Sequence, residues 1–194
     1  MIVPLSITTE KRTVGVLSPK EWLLLKDKLN DAYKLRIEFL LQTAMRISEA
    51  KYVTSHPECF REVNGAIFLP MVKGLGKDKC TIKNRQIMLS TMGIATVKEY
   101  INKKLKLPAY QNIEQVLKRA ARDAGIDIKY ITGKFARKSM ISWLMSVYPE
   151  RQSQIAFSSG HDYNTMRAHY LTYGWTKDDL RDMREYVKGW GEAQ

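Results

Sequence analysis

Apolar residues recur along this chain mostly at helical spacing, in blocks separated by short polar or glycine-bearing breaks. The first block opens at "SPKEWLLLKDKL". Ser18 stands where an N-cap belongs, Pro19 occupies the first helical position and Glu21 completes a capping box. From about 31 to 44, Tyr33, Ile37, Leu40, Leu41 and Ala44 fall on one face and predict a second helix. Between about 65 and 90 the pattern changes. "AIFLPMVK" and "KCTIKNRQIML" read as two strands of a hairpin around the turn "GLGKD", and Pro70 places the first strand at a sheet edge. Helical spacing returns at about 92–105, Pro108 punctuates it, and a further helix at about 112–124 ends at Gly125. Met140, Ile141, Leu144 and Val147 share one face of a helix over 134–147. Pro149 opens a short helix to about Phe157, and Asn164 or Thr165 caps another through Tyr170. Thr176 caps the last, with Asp178 and Asp179 in the first turn and a stripe of Leu180, Met183, Val187 and Trp190. Residues 1–17 carry no strong signal and read as a linker or N-terminal stub. The fold class expected is mainly α with a small antiparallel β-hairpin. Residues 18–175 form the main domain and 176–194 a helical tail.

Composition sharpens this picture at one point. With 194 residues, 44% hydrophobic and 27% charged, the chain can bury a sizeable core. Its 32 Lys+Arg against 20 Asp+Glu leave a net charge of +12. Such an excess favours a polyanionic partner, because neutralised phosphates release condensed counterions. Cys59, Cys80, His56, His161 and His169 have neither the count of a disulfide framework nor the spacing of a metal site. No apolar run approaches the length of a membrane span, and "MIVPLSITTEKR" lacks a signal-peptide core. The expectation is an intracellular protein without cofactor or metal.

Cutting a DNA strand without a metal needs a nucleophile for phosphorus, cationic donors for the non-bridging oxygens and an acid for the leaving oxygen. Arginine suits the second task, because its planar fork pairs with phosphate and stays charged. "TAMRISEA" places Arg46 just after an apolar helix, with Glu49 three residues on, where it can orient Arg46 or a nearby group. "GKFARKSM" holds Lys134 and Arg137 at the same spacing. Lys73 enters the hairpin turn, with Lys77 and Lys79 close behind. His161 follows "SSG"; its imidazole can bond a phosphate oxygen or take a tyrosine's proton. Each of these also has an ordinary reading, as a surface ion pair, a solvated basic face or a structural histidine. Their order along the chain is the stronger signal.

That order resembles the catalytic domain of the tyrosine recombinases, the phage-type integrases. The matching parts are Arg46 in "TAMRISEA", a hairpin lysine, Lys134-x-x-Arg137, Gly160-His161 and a tyrosine nine residues beyond. The resemblance runs from about residue 18 to 173 and implies the tyrosine recombinase catalytic-domain fold. It implies site-specific DNA cleavage and rejoining through a covalent 3′-phosphotyrosyl intermediate, with neither metal nor ATP. By position, Arg46 and Arg137 would clamp the scissile phosphate beside Lys134. Lys73 would be the general acid, Glu49 an accessory acid, His161 the second histidine of the pattern and Tyr170 the nucleophile. Tyr173 is the alternative nucleophile, and Lys77 and Lys79 are alternatives to Lys73. Lys77, Lys79, Lys138 and Arg167 read as DNA contacts. One departure stands out: Lys134 occupies a place where most of the family has histidine, as integrases of archaeal viruses and plasmids do. A lysine there stays cationic at neutral pH, which moves any base role to His161 or water. Double-stranded DNA is the partner implied, with self-association into a dimer or tetramer synapse, through the 176–190 stripe or with that stripe docked on its own domain. The alternatives are type IB topoisomerase chemistry and a non-catalytic DNA-binding protein. The family's usual N-terminal DNA-clamping domain is not part of the resemblance.

Overall fold

The structure is a computed structural model and describes residues 1–9, 12–75, 80–82, 84–161, 166 and 174–192. Strands β1 (Leu5–Thr9) and β2 (Arg12–Val16) pair antiparallel in register from Leu5↔Val16 to Thr9↔Arg12. This stretch, expected as linker or stub, is a hairpin laid against the helical body. Val14, Val16 and Leu17 are buried there. Its β-branched run fits a pleated surface, although its many threonines hide the alternation. Trp143 Nε1 donates to the Leu17 carbonyl at 2.8 Å, and Leu17 N donates to Ser139 Oγ at 2.9 Å.

Helices α1 (Pro19–Asp27), α2 (Asp31–Thr43) and α3 (Ile47–Ser55) follow. The expected capping box of α1 is present, with Ser18 N donating to Glu21 at 2.7 Å. The predicted single hairpin is divided. β4 (Ala66–Leu69) lies between β3 (Phe60–Arg61) and β7 (Arg85–Met88), while β5 (Val72–Leu75) pairs with β6 (Cys80–Ile82) in a ladder of its own. Pro70 therefore does not mark an edge strand. It has no N–H to give the ladder, and β4 ends just before it.

Helices α4 (Thr91–Asn102), α5 (Tyr110–Asp123), α6 (Phe135–Val147), α7 (Gln152–Ser159) and α8 (Lys177–Val187) complete the described elements. The core sits where α2, α4, α6 and α8 meet, with Phe39 stacked on Tyr100 at 4.1 Å and Trp22, Phe135 and Trp143 fully enclosed. The stripe on α8 docks within the chain. Met183, Val187 and Trp190 are buried, Tyr186 packs on Trp143, and Tyr148 Oη donates to the Val187 carbonyl at 3.1 Å. Of the helix expected from 164 to 170, Met166 is described, helical and buried, and the other residues lie outside the described ones.

Candidate active site

The site is built where three helix ends meet. Ala44 closes α2 in the left-handed region (φ 48°), which turns the chain so that Arg46 becomes the N-cap of α3. Glu49, at the third position of α3, accepts the Arg46 backbone N–H at 2.7 Å and Arg46 Nη1 at 3.0 Å. The pairing expected from their spacing is therefore present, but it is the smaller part of what Glu49 does. Its two oxygens also take both terminal nitrogens of Arg85 at 2.8 Å each. Burial raises the Glu49 carboxyl pKa, but the Arg85 fork, its charge and the Arg46 contacts outweigh it and hold the group down at about 2. Arg85 is 4% exposed and opens β7, with Nε on the Ser158 carbonyl at 3.0 Å.

The C-terminus of α7 is the second element. The last carbonyls of a helix have no intrahelical donor and carry its negative end. Here three successive ones each receive an arginine: Ser158 receives Arg85, Ser159 receives Arg137 and Gly160 receives Arg46 at 3.3 Å. Gly160 is left-handed (φ 67°), and a Cβ there would stand 2.9 Å from the Arg85 guanidinium, so both backbone and space require glycine.

The third element is the start of α6. Lys134 is its N-cap, without a side-chain cap, and no acidic residue lies in the first turn. Arg137 reaches from there to two helix ends, donating Nη1 to the Ala44 carbonyl and Nη2 to that of Ser159. Burial, then Arg137 and Lys134, push the Lys138 ammonium down to about 8. His161 leaves α7 with its N–H on the Ala156 carbonyl at 3.0 Å, and its Nδ1 is 3.0 Å from Ser159 Oγ. Burial and then the surrounding cations, Arg137 first, bring its imidazole down to about 3, so the ring is neutral at neutral pH.

Arg46, Lys134, Arg137, Lys138 and His161 line one open cleft of about 490 Å³, with Glu49 behind it. Tyr110 lines the same cleft. Five cationic or imidazole groups around one opening can hold a phosphate diester by its non-bridging oxygens. Lys73 is the second residue of β5. Lys77, Lys79, Arg167 and Tyr170, with the alternative Tyr173, lie outside the described residues. Sequence reasoning missed Arg85, Tyr110 and Ser159. Arg85 had a signal: it falls in step, two by two, with Ile87 and Leu89, and all three are buried. Among the described residues no cluster of His, Cys, Asp or Glu could hold a metal ion, and no helix is long and apolar enough to cross a membrane.

A mostly helical body with small antiparallel sheets, arranged in this way, is the catalytic-domain fold of the tyrosine recombinases. Three solved structures carry the comparison. XerA recombinase matches with a TM-score of 0.60 at 15% identity, over 92% of this chain and 65% of that one. The Tn1549 transposon integrase in complex with circular intermediate DNA matches with 0.62 at 15% identity, over 88% of this chain and 66% of that one. The XerH site-specific recombinase bound to palindromic difH substrate matches with 0.58 at 19% identity, over 88% of this chain and 51% of that one. The chain thus spans between half and two thirds of each, and at these identities the likeness is one of fold. No protein-family model matches the sequence, and comparison with curated proteins finds no significant match.

Proposed function

We propose that this chain cuts and rejoins double-stranded DNA in the manner of an integrase, through a 3′-phosphotyrosyl intermediate and without metal or ATP. The observation that carries the reading is the convergence of Arg46, Lys134, Arg137 and His161 on one cleft from separate elements. In the proposed step the Tyr170 oxygen attacks the scissile phosphorus and its proton passes to His161 or to water. The bond to the 5′ oxygen breaks, and that oxygen takes a proton from Lys73. Arg46, Arg137 and Lys134 hold the non-bridging oxygens, and Lys77, Lys79, Lys138 and Arg167 contact DNA. The covalent ester conserves the energy needed for a 5′-hydroxyl to reverse the step. Glu49 serves by holding Arg46 and Arg85 in place, an accessory role. The lysine at 134 in place of histidine is the ground for assigning the chain to integrases of archaeal viruses and plasmids, acting inside the host cell. Self-association on DNA belongs to the same proposal; with the α8 stripe engaged within the chain, a synapse would use another surface.

The test uses nicked duplexes of randomised sequence that trap a covalent adduct, followed by peptide mapping of the modified residue. Wild type is expected to yield an adduct on Tyr170, and Tyr170→Phe none. An adduct that persists in Tyr170→Phe ends the assignment of the nucleophile, and its absence from wild type on every duplex favours a non-catalytic DNA-binding protein. On a substrate with a 5′-bridging sulfur, Lys73→Ala should regain cleavage because that leaving group needs no acid. Recovery by Lys77→Ala or Lys79→Ala instead would move the acid to that position.

A further inference from the structure

Arg85 is buried and does not line the cleft, yet it holds the main acceptor of Arg46, which does. A carboxylate offers about four lone-pair sites. Glu49 fills its own two and two. Oε1 accepts Arg85 Nη1 at 2.8 Å and Arg46 Nη1 at 3.0 Å. Oε2 accepts Arg85 Nη2 at 2.8 Å and the Arg46 backbone N–H at 2.7 Å. Arg46 is therefore held to a single side-chain prong on Glu49, and its other terminal nitrogen goes to the Gly160 carbonyl at 3.3 Å. That turn is gripped by Arg85 as well, through the Ser158 carbonyl. A guanidinium carries five N–H groups, so most of those on the half-exposed Arg46 side chain stay available to the cleft. Without Arg85, the two vacated sites and the whole charge of Glu49 would fall to Arg46. Side chains three apart on a helix are neighbours, and a two-pronged pair is the strong geometry for arginine and carboxylate.

We propose that Arg85 is a positioning residue that acts by competition: its fork saturates Glu49, so that Arg46 cannot close a two-pronged pair with that carboxylate and keeps its remaining N–H groups for an anion in the cleft. Arg85 itself never meets that anion. For activity the inference rests on the strand-cleavage reading; for the geometry of Arg46 it stands without it.

The experiment has two readouts on the whole chain. Crystal structures without DNA are expected to show Arg46 with one terminal nitrogen on Glu49 in wild type and with two in Arg85→Met. Should Arg85→Met not fold, Arg85→Lys keeps the buried charge, fills only one oxygen and reads the same shift. On a trapping duplex, adduct formation in Arg85→Met should slow on the order of 100-fold at saturating DNA, as for the loss of one anion donor. Adding Glu49→Gln removes the charge that captures Arg46, so the double variant should regain about tenfold over Arg85→Met. A purely structural role for Arg85 predicts a further loss in its place. An Arg46 that stays on one prong in the Arg85 variants, or a double variant no faster than Arg85→Met, overturns the proposal. Because the pairing of Arg46 is read without catalysis, a wild type that yields no adduct ends the cleavage reading alone, and an unmoved Arg46 ends this inference alone.

Discussion

A carboxylate with 1% of its side chain exposed stands between two arginines, and its charge is what allows Arg85 to be buried. Glu49→Gln keeps the shape and removes that charge. An uncompensated guanidinium in the interior should cost about 3–5 kcal/mol, measured by chemical denaturation. The same group makes the protein sensitive to acid. Its folded pKa, about 2, lies below its ordinary 4.5, so its contribution is present above 4.5 and is lost as pH falls towards 2. For so buried a carboxyl the loss is on the order of 3 kcal/mol. His161 acts in the same direction. Below its ordinary 6.5 the unfolded chain takes up a proton that the folded ring refuses until about 3, so stability falls with pH through that window as well. Thermal melts at falling pH should show both losses, and His161→Gln should remove the earlier one. Gly160→Ala should cost about 1–3 kcal/mol from the left-handed backbone and displace Arg85, a change visible in a crystal structure of the variant. At this scale Arg46, Lys134, Arg137 and His161 were legible from residue type and order. Arg85 was legible only as an inward-facing strand position, in step with Ile87 and Leu89, and not as part of the site, because its partners Glu49 and Ser158 lie 36 and 73 positions away.

Among the elements, α6 begins with an N-cap residue that supplies no side-chain cap, three cations and no acid in its first turn. The helix dipole adds to those cations, so the element is under electrostatic load until an anion arrives. Lys138, brought down to about 8 by burial first and by Arg137 and Lys134 after it, registers part of that load. A bound phosphate should restore its proton. Binding of DNA at about pH 8 is therefore expected to take up protons. Calorimetry in buffers of differing ionisation enthalpy would detect this, and Lys138→Ala should abolish most of it. Elsewhere, helices with strong caps were legible almost to the residue, as the boxes at Ser18 and Thr176 show. The β1–β2 hairpin was not, since its polar β-branched residues do not alternate visibly. The break at Pro70 was misread because an edge strand and a strand end both tolerate a missing N–H. The α8 stripe was legible as apolar, but not which surface would cover it. Its burial on the chain's own core means that Met183→Ala should cost about 2–5 kcal/mol of stability, checked by the denaturation midpoint.

For the molecule as a whole, the net charge of +12 and the cationic cleft point the same way. DNA affinity should fall linearly in log–log form as salt rises, and Arg137→Ala should lower the slope by about one unit for the phosphate contact removed. Equilibrium titrations at several ionic strengths measure this directly, and an unchanged slope would take Arg137 off the phosphate. The last carbonyls of α7 set a further constraint on the whole design. Three arginines from three different elements are gauged against three consecutive peptide units, so the helix works as a ruler read at its final notches. One residue inserted in α7 would turn that end by about 100° and advance it by about 1.5 Å, throwing all three readings out together. Relatives that share this site should therefore vary the length of their loops freely while holding the count of residues from the start of α7 to Gly160 constant.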